Sequence, residues 1–252
     1  MHDDIRIIAV RGIGEVEPGT DLATLILTAL DQRGQTLESG DVVVVTQKIV
    51  SKAEGRIVDP QTIEPSEFAR QIAAHMKKDP HQIEIVLRES ARIVRMNANV
   101  LLTETRHGLI CANSGVDESN VGGGHRLTLL PHDPDHSAAA LRAALRERTG
   151  CELAVIITDT FGRAWREGQV NFAIGSSGLE VIANYVGVDD PYGYTMNASK
   201  IGVGDELAAA AELVMGKIDQ VPVAIVRGYH YIPSERATAR DLLRDPKYDL
   251  FR

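Results

Sequence analysis

The stretch GDVVVVTQKIVSKAEG, Gly40 to Gly55, decides the fold. Consecutive β-branched residues with no polar alternation read as a strand buried on both faces, and Gly40-Asp41 marks its start. TQKIVSKAEG then reads as a short helix closed by Gly55, which puts Lys48 and Lys52 four apart on one face. A doubly buried strand that passes straight into a helix points to an α/β layering of the chain.

The same alternation continues outward in both directions. IRIIAV, Ile5 to Val10, reads as a strand feeding the turn-rich GIGEVEPG, after which Thr20 has N-cap chemistry for a helix on Leu22, Leu25, Ile26 and Ala29 that ends at Gly34. An amphipathic helix is expected from Glu64 to Lys78, while IEIVLRESARIVRM stays open between strands and helix. GLICANSGVD, Gly108 to Asp117, reads as a strand entering a loop that continues through SNVGGG, Ser119 to Gly124. Ser137 is expected to cap an alanine-rich helix through Arg148, closed by Gly150, ahead of the strand LAVIITD, Leu153 to Asp159. A further helix around Asp205 to Met215 precedes the strand PVAIVRG, Pro222 to Gly228, and Ser234 is expected to cap a closing helix, Arg236 to Arg244. The expected class is α/β (α+β): mixed β-sheets with flanking helices, the irregular middle arguing against a simple doubly wound sheet. Residues 1–252 suit one domain or two intimately packed lobes.

Composition removes several functions. A net charge of −8 argues against a sequence-independent nucleic-acid binder, because neutralising phosphates needs a cationic field. Cys111 and Cys151 lie far apart with no CxxC or Cys/His spacing, so two buried thiols in a reducing cytoplasm are expected rather than a disulfide or structural zinc. The acidic start MHDDIRIIAV lacks the basic region of a signal peptide, and no apolar run is long enough to span a bilayer. A cytoplasmic protein with small-molecule partners is expected.

Two loops carry candidate chemistry. GVDESNVGGG and TDTFGRAW each place an aspartate where an apolar strand runs out, so Asp117 and Asp159 pair as ligands for a hard cation, with Thr160 as a third oxygen. Mg²⁺ or Mn²⁺ suits so sparse a set, since phosphate and water can supply the rest. On spacing alone the reading of the same aspartates as turn or N-cap residues is favoured over the cation site. Lys48 and Lys52 stand where a phosphate could meet a helix N-terminus, but no P-loop motif is present, and the residues alone favour a solvated helix face. Arg163 and Arg166 flank Trp165; on a helix starting at TDTFGRAW they would share a face and clamp a carboxylate or phosphate, or simply line the surface. HDPDH, His132 to His136, reads as a capped turn rather than a metal cluster, because Pro134 breaks the spacing.

RGIGEVEPGTDL, GDVVVVTQKIVSKAEGR, SGVDESNVGGG, ITDTFGRAWREGQ, VGVDDPYG and PVAIVRG together, in this order and spacing, resemble the coenzyme F-420-0:L-glutamate ligases from Ile5 to the terminal DLF. The resemblance implies a GTP-dependent amide ligase that adds L-glutamate to a deazaflavin precursor through γ-linkages, with a divalent metal at two sites, potassium in some members, and a homodimeric assembly. It carries nucleotide contacts onto Ile13, Gly14, Glu15, Val16, Gln47, Lys52 and Asn120. A further nucleotide loop falls on Met215, Gly216, Lys217, Ile218, Asp219, Gln220, Val221 and Pro222. The metal ligands fall on Asp117, Asp159 and Thr160. Archaeal members have an acidic second-metal ligand where Lys217 stands here. Actinobacterial members fuse the domain to a flavin-binding reductase domain, so a separate protein is expected for any reductase step. The expected route is phosphorylation of the acceptor carboxylate, then attack by the glutamate amine, with Arg163 and Arg166 holding the acyl phosphate or the amino acid. Two rivals use the same residues: a metal-dependent nucleotide phosphohydrolase, and a non-catalytic nucleotide-binding regulatory module.

Overall fold

The computed structural model describes residues 4–118 and 126–250. The elements in chain order are β1 (Arg6–Val10), α1 (Leu22–Asp31), β2 (Val42–Thr46), α2 (Gln47–Ala53), β3 (Ile57–Val58), α3 (Glu67–Met76), α4 (Pro80–Glu89), β4 (Ser90–Met96), β5 (Leu101–Thr105), β6 (Ile110–Ala112) and β7 (Leu127–Thr128). They continue with α5 (Pro134–Thr149), β8 (Ala154–Arg163), β9 (Arg166–Leu179), β10 (Ala183–Asn184), β11 (Lys200–Ile201), α6 (Val203–Met215), β12 (Val223–Arg227) and β13 (Pro233–Ser234).

A six-stranded mixed sheet in the order β1-β12-β2-β8-β9-β13 carries the architecture; β2 and β8 run parallel, and the other neighbouring pairs are antiparallel. The fold class is α+β, as the sequence predicts. The four valines of β2 are fully buried because they feed two cores. Val43 and Val45 join Val155 and Ile157 against Ile26, Leu30 and Leu145 of α1 and α5. Val42 and Val44 join Ala154 and Ile156 against Leu207, Ala208 and Ala211 of α6. Each such valine contributes roughly 1.5–3 kcal/mol over leaving it exposed. Gly175 in β9 lets the start of α5 approach, since a Cβ there would collide with the Pro134 carbonyl.

Between β2 and β8 the chain builds a side wall from the β4-β5-β6 sheet, α3 and α4. Its apolar cluster unites Ile72, Met76, Ile83, Val86 and Leu101, with Val116 packed against it. The segment that the sequence leaves open resolves into α4 followed by β4.

Four local expectations are corrected. Asp21, not Thr20, caps α1, its carboxylate accepting from the Thr24 N–H. Asp133, not Ser137, caps α5; Pro134 needs no N–H partner at the first helical position, and Asp133 accepts from the His136 N–H. The strand through Asp159 runs on to Arg163 and turns back through Trp165, whose φ is 64°, so TDTFGRAW begins a hairpin rather than a helix. The closing helix shrinks to a 3-10 turn, Ala239–Leu242, because the Ala239 N–H is committed to Asp135 at the start of α5. Cys111 is buried and Cys151 only half-buried, and neither forms a disulfide.

Candidate active site

The register of the sheet brings distant segments to one edge. Thr46 pairs with Thr158 across the parallel strands, so Gln47 and Asp159 leave the core side by side. Antiparallel β12 starts there, Val223 opposite Val45, and antiparallel β1 ends there, Val10 opposite Val223. The loop after β1, the start of α2, the end of β8 and the loop before β12 therefore converge. Asp117 arrives from the side wall, held by a pair of backbone hydrogen bonds with Thr128 at 2.8 and 3.0 Å.

These segments enclose a cavity of about 510 Å³. Ile13, Gly14, Glu15, Val16, Gln47 and Lys52 line it, as do Asp117, Asp159 and Thr160 and the loop residues Gly216, Lys217, Ile218, Gln220, Val221 and Pro222. Met215 does not; it is fully buried in the core beneath α6. Asp219 is also absent from the lining, and Asn120 lies outside the described residues. Arg163 and Arg166 face each other across the hairpin outside the lining, with an Arg163 Nη1 donating to the Gly168 carbonyl at 2.7 Å.

The lysines are not a solvated helix face. Lys52 is 6% exposed and pairs with Glu15, which also lines the cavity. Lys48 donates to Asp117 Oδ2 at 2.7 Å. Asp159 accepts from the Thr160 N–H, yet its carboxyl is pushed up to about 7, chiefly by burial and further by the Asp117 carboxylate, with Lys48 and Lys217 acting the other way. The thiol of Cys111 nearby is pushed up to about 12 by burial and the same Asp159 charge. Two carboxylates and a hydroxyl form an all-oxygen set that fits a hard cation. Among the described residues no group of three or more acidic, histidine or cysteine side chains is placed to hold a metal ion, so the protein's share of any such site is these two carboxylates and the hydroxyl.

Matching against family models finds the F420-0:gamma-glutamyl ligase model over residues 12–228. The chain belongs to this family. It is 46% identical to the coenzyme F420:L-glutamate ligase of Methanothermobacter thermautotrophicus over 98% of this chain and 99% of that one. The ligase of the same name from Methanopyrus kandleri is 46% identical over 94% of each chain, and that of Methanocaldococcus jannaschii is 40% identical over 86% of each. Family membership thus extends across the sheet, the side wall and every segment of the cavity.

Sequence reasoning missed Thr46, Ile49, Thr158, Asn171 and Glu212 in the lining, and weighed Lys48 without selecting it. Lys48 carried a signal, standing four before Lys52. Asn171 and Glu212 carried none, because each reads as an ordinary strand or helix residue until β9 and α6 are stacked.

Proposed function

We propose that this protein joins L-glutamate to coenzyme F-420-0 through a γ-linkage in coenzyme F-420 biosynthesis, driven by GTP. The observation that carries the reading is the pair of carboxylates, Asp117 and Asp159, that line one cavity together with Thr160 and the buried Lys52. Loops that converge on a cavity beside a buried lysine suit a triphosphate, and oxygen ligands suit its Mg²⁺ or Mn²⁺. The ion would be held by Asp117, Asp159 and Thr160 and would neutralise charge on the transferring phosphoryl group. A second divalent site and potassium belong to the same proposal, as do a homodimer and a cytoplasmic setting.

In the proposed reaction the acceptor carboxylate oxygen bonds to the γ-phosphorus as the bond to the β-phosphate oxygen breaks, releasing GDP. The glutamate amine, having lost a proton, then attacks the acyl carbon and inorganic phosphate leaves. Lys52 binds phosphate once Glu15 lets it go, and Lys48 offers a second cation beside Asp117. Arg163 and Arg166 stand outside the cavity lining, so their proposed part is contact with the acceptor or incoming glutamate beyond the nucleotide. Positioning and electrostatics suffice, with no protein nucleophile.

One incubation with GTP, Mn²⁺, L-glutamate and F-420-0, followed by mass spectrometry, tests this. A product heavier by one glutamyl residue and formed only with GTP is expected. Phosphate release without acceptor would favour a phosphohydrolase, and binding without turnover a regulatory module.

A further inference from the structure

Thr160 and Asn171 are direct cross-strand partners on β8 and β9, on the face covered by α6. Thr160 Oγ1 and Asn171 Oδ1 lie 2.7 Å apart, and Asn171 Nδ2 lies 2.9 Å from Glu212 Oε2. Asn171 is 2% exposed, so its amide has no solvent in which to choose another orientation. A carboxylate only accepts, so Glu212 compels Asn171 to present its NH₂ to α6 and its carbonyl to Thr160. Thr160 must then give its single hydroxyl proton to Asn171. Its remaining lone pairs are left for the cavity, which Thr160 and Glu212 both line.

We infer that Glu212 is a positioning residue which, through Asn171, fixes the Thr160 hydroxyl as an acceptor toward a bound divalent cation. The inference rests on the proposed cation site at Asp117, Asp159 and Thr160. It gives the site a specificity device: with its proton committed, Thr160 offers the cavity an acceptor rather than a donor, which favours a cation over an anion or a hydrogen-bond acceptor. Outer partners that orient a ligand in this way typically change metal affinity about 10- to 100-fold.

The test is Mn²⁺ binding to the full chain with GDP present, counted by electron paramagnetic resonance against a protein-free GDP blank, with melting temperature measured alongside. Glu212→Leu, which removes the acceptor, is expected to weaken Mn²⁺ binding about 10-fold. Glu212→Gln keeps an acceptor for Asn171 while losing the charge, and is expected to stay within about threefold of the parent. Thr160→Val should weaken binding at least as much as Glu212→Leu, and the double variant should match Thr160→Val alone. Equal losses in Glu212→Leu and Glu212→Gln would show that only charge matters and overturn the inference. Additive losses in the double variant would make Glu212 an independent ligand and overturn it as well. If Glu212→Leu leaves binding intact while Asp159→Asn abolishes it, the inference alone falls. If the parent chain binds no Mn²⁺ above the blank, the cation site and the inference fall together.

Discussion

The two carboxylates of the cavity are held in different ways. Asp159 lies just beyond the last pairing with β2 and still opposite Phe172 of β9, at the root of a sheet packed on both faces. Asp117 hangs from one isolated bridge to Thr128 in the side wall, its side chain 37% exposed and tethered by Lys48. Backbone pairing sets the first position; a side-chain ion pair sets the second. A site divided like this has a stiff floor that defines geometry and a wall that can answer to a ligand's charge.

The strongest way to break the comparison is to neutralise each carboxylate in turn. Asp159→Asn is expected to lower kcat/KM for glutamyl transfer by about 10²- to 10³-fold, as removal of a group stabilising the transition state does, with circular dichroism unchanged. Activity within tenfold of the parent would remove Asp159 from the chemistry. Asp117→Asn should act mainly on affinity, weakening Mn²⁺ binding by about 10- to 100-fold, because it also releases Lys48 from its partner. Equal losses of kcat in both variants would erase the distinction between floor and wall.

A gentler test uses pH on the metal-free protein. Folding raises the Asp159 carboxyl from 3.8 to about 7, so between those values the folded chain binds more protons than the unfolded one. The stability this group contributes is fully present below pH 3.8 and lost as pH rises through 7. At pH 8, Asp159→Asn is therefore expected to melt about 2–4 °C above the parent per kcal/mol relieved, and the gap should close toward acid pH. Unchanged melting of Asp159→Asn at pH 8 would show that the buried carboxylate is already compensated.

The smallest effect is expected in the wall itself. Ser66 caps α3 by accepting from the Ala69 N–H and donates to Glu84 of α4 at 2.6 Å. Ser66→Ala should reduce unfolding free energy by about 1 kcal/mol while leaving glutamyl transfer unchanged. A matching fall in activity would mean that the wall reaches Asp117 more rigidly than a single bridge allows.

The sheet was legible where local signals were redundant. The valines of β2 and the apolar run of β8 announce buried strands at almost their true starts, and α6 ends at Met215 as its periodicity requires. Helix starts were misread where two capping residues competed: Ser137 is a plausible cap, but Asp133-Pro134 supplies both the acceptor and the missing donor one turn earlier. The strand is expected from the sequence to end at Asp159, yet the chain stays paired to Arg163 and Trp165 takes the left-handed turn. Asp117, Asp159 and Thr160 were visible as candidate strand-end oxygen ligands, and the structure brings the three to one cavity. The relay from Glu212 was not visible, because its link to Asn171 spans 41 residues and exists only after α6 settles on β9.

The parallel pairing of β2 with β8 also governs how the molecule assembles. The two strands are separated in sequence by the whole side wall, α5 and the segments between. Their meeting is a long-range closure, of the kind that slows folding. Until that closure occurs Gln47 and Asp159 have no common edge, so a partly folded chain lacks the cavity. Any ligand of that cavity would therefore report on, and add to, the stability of the completed molecule alone.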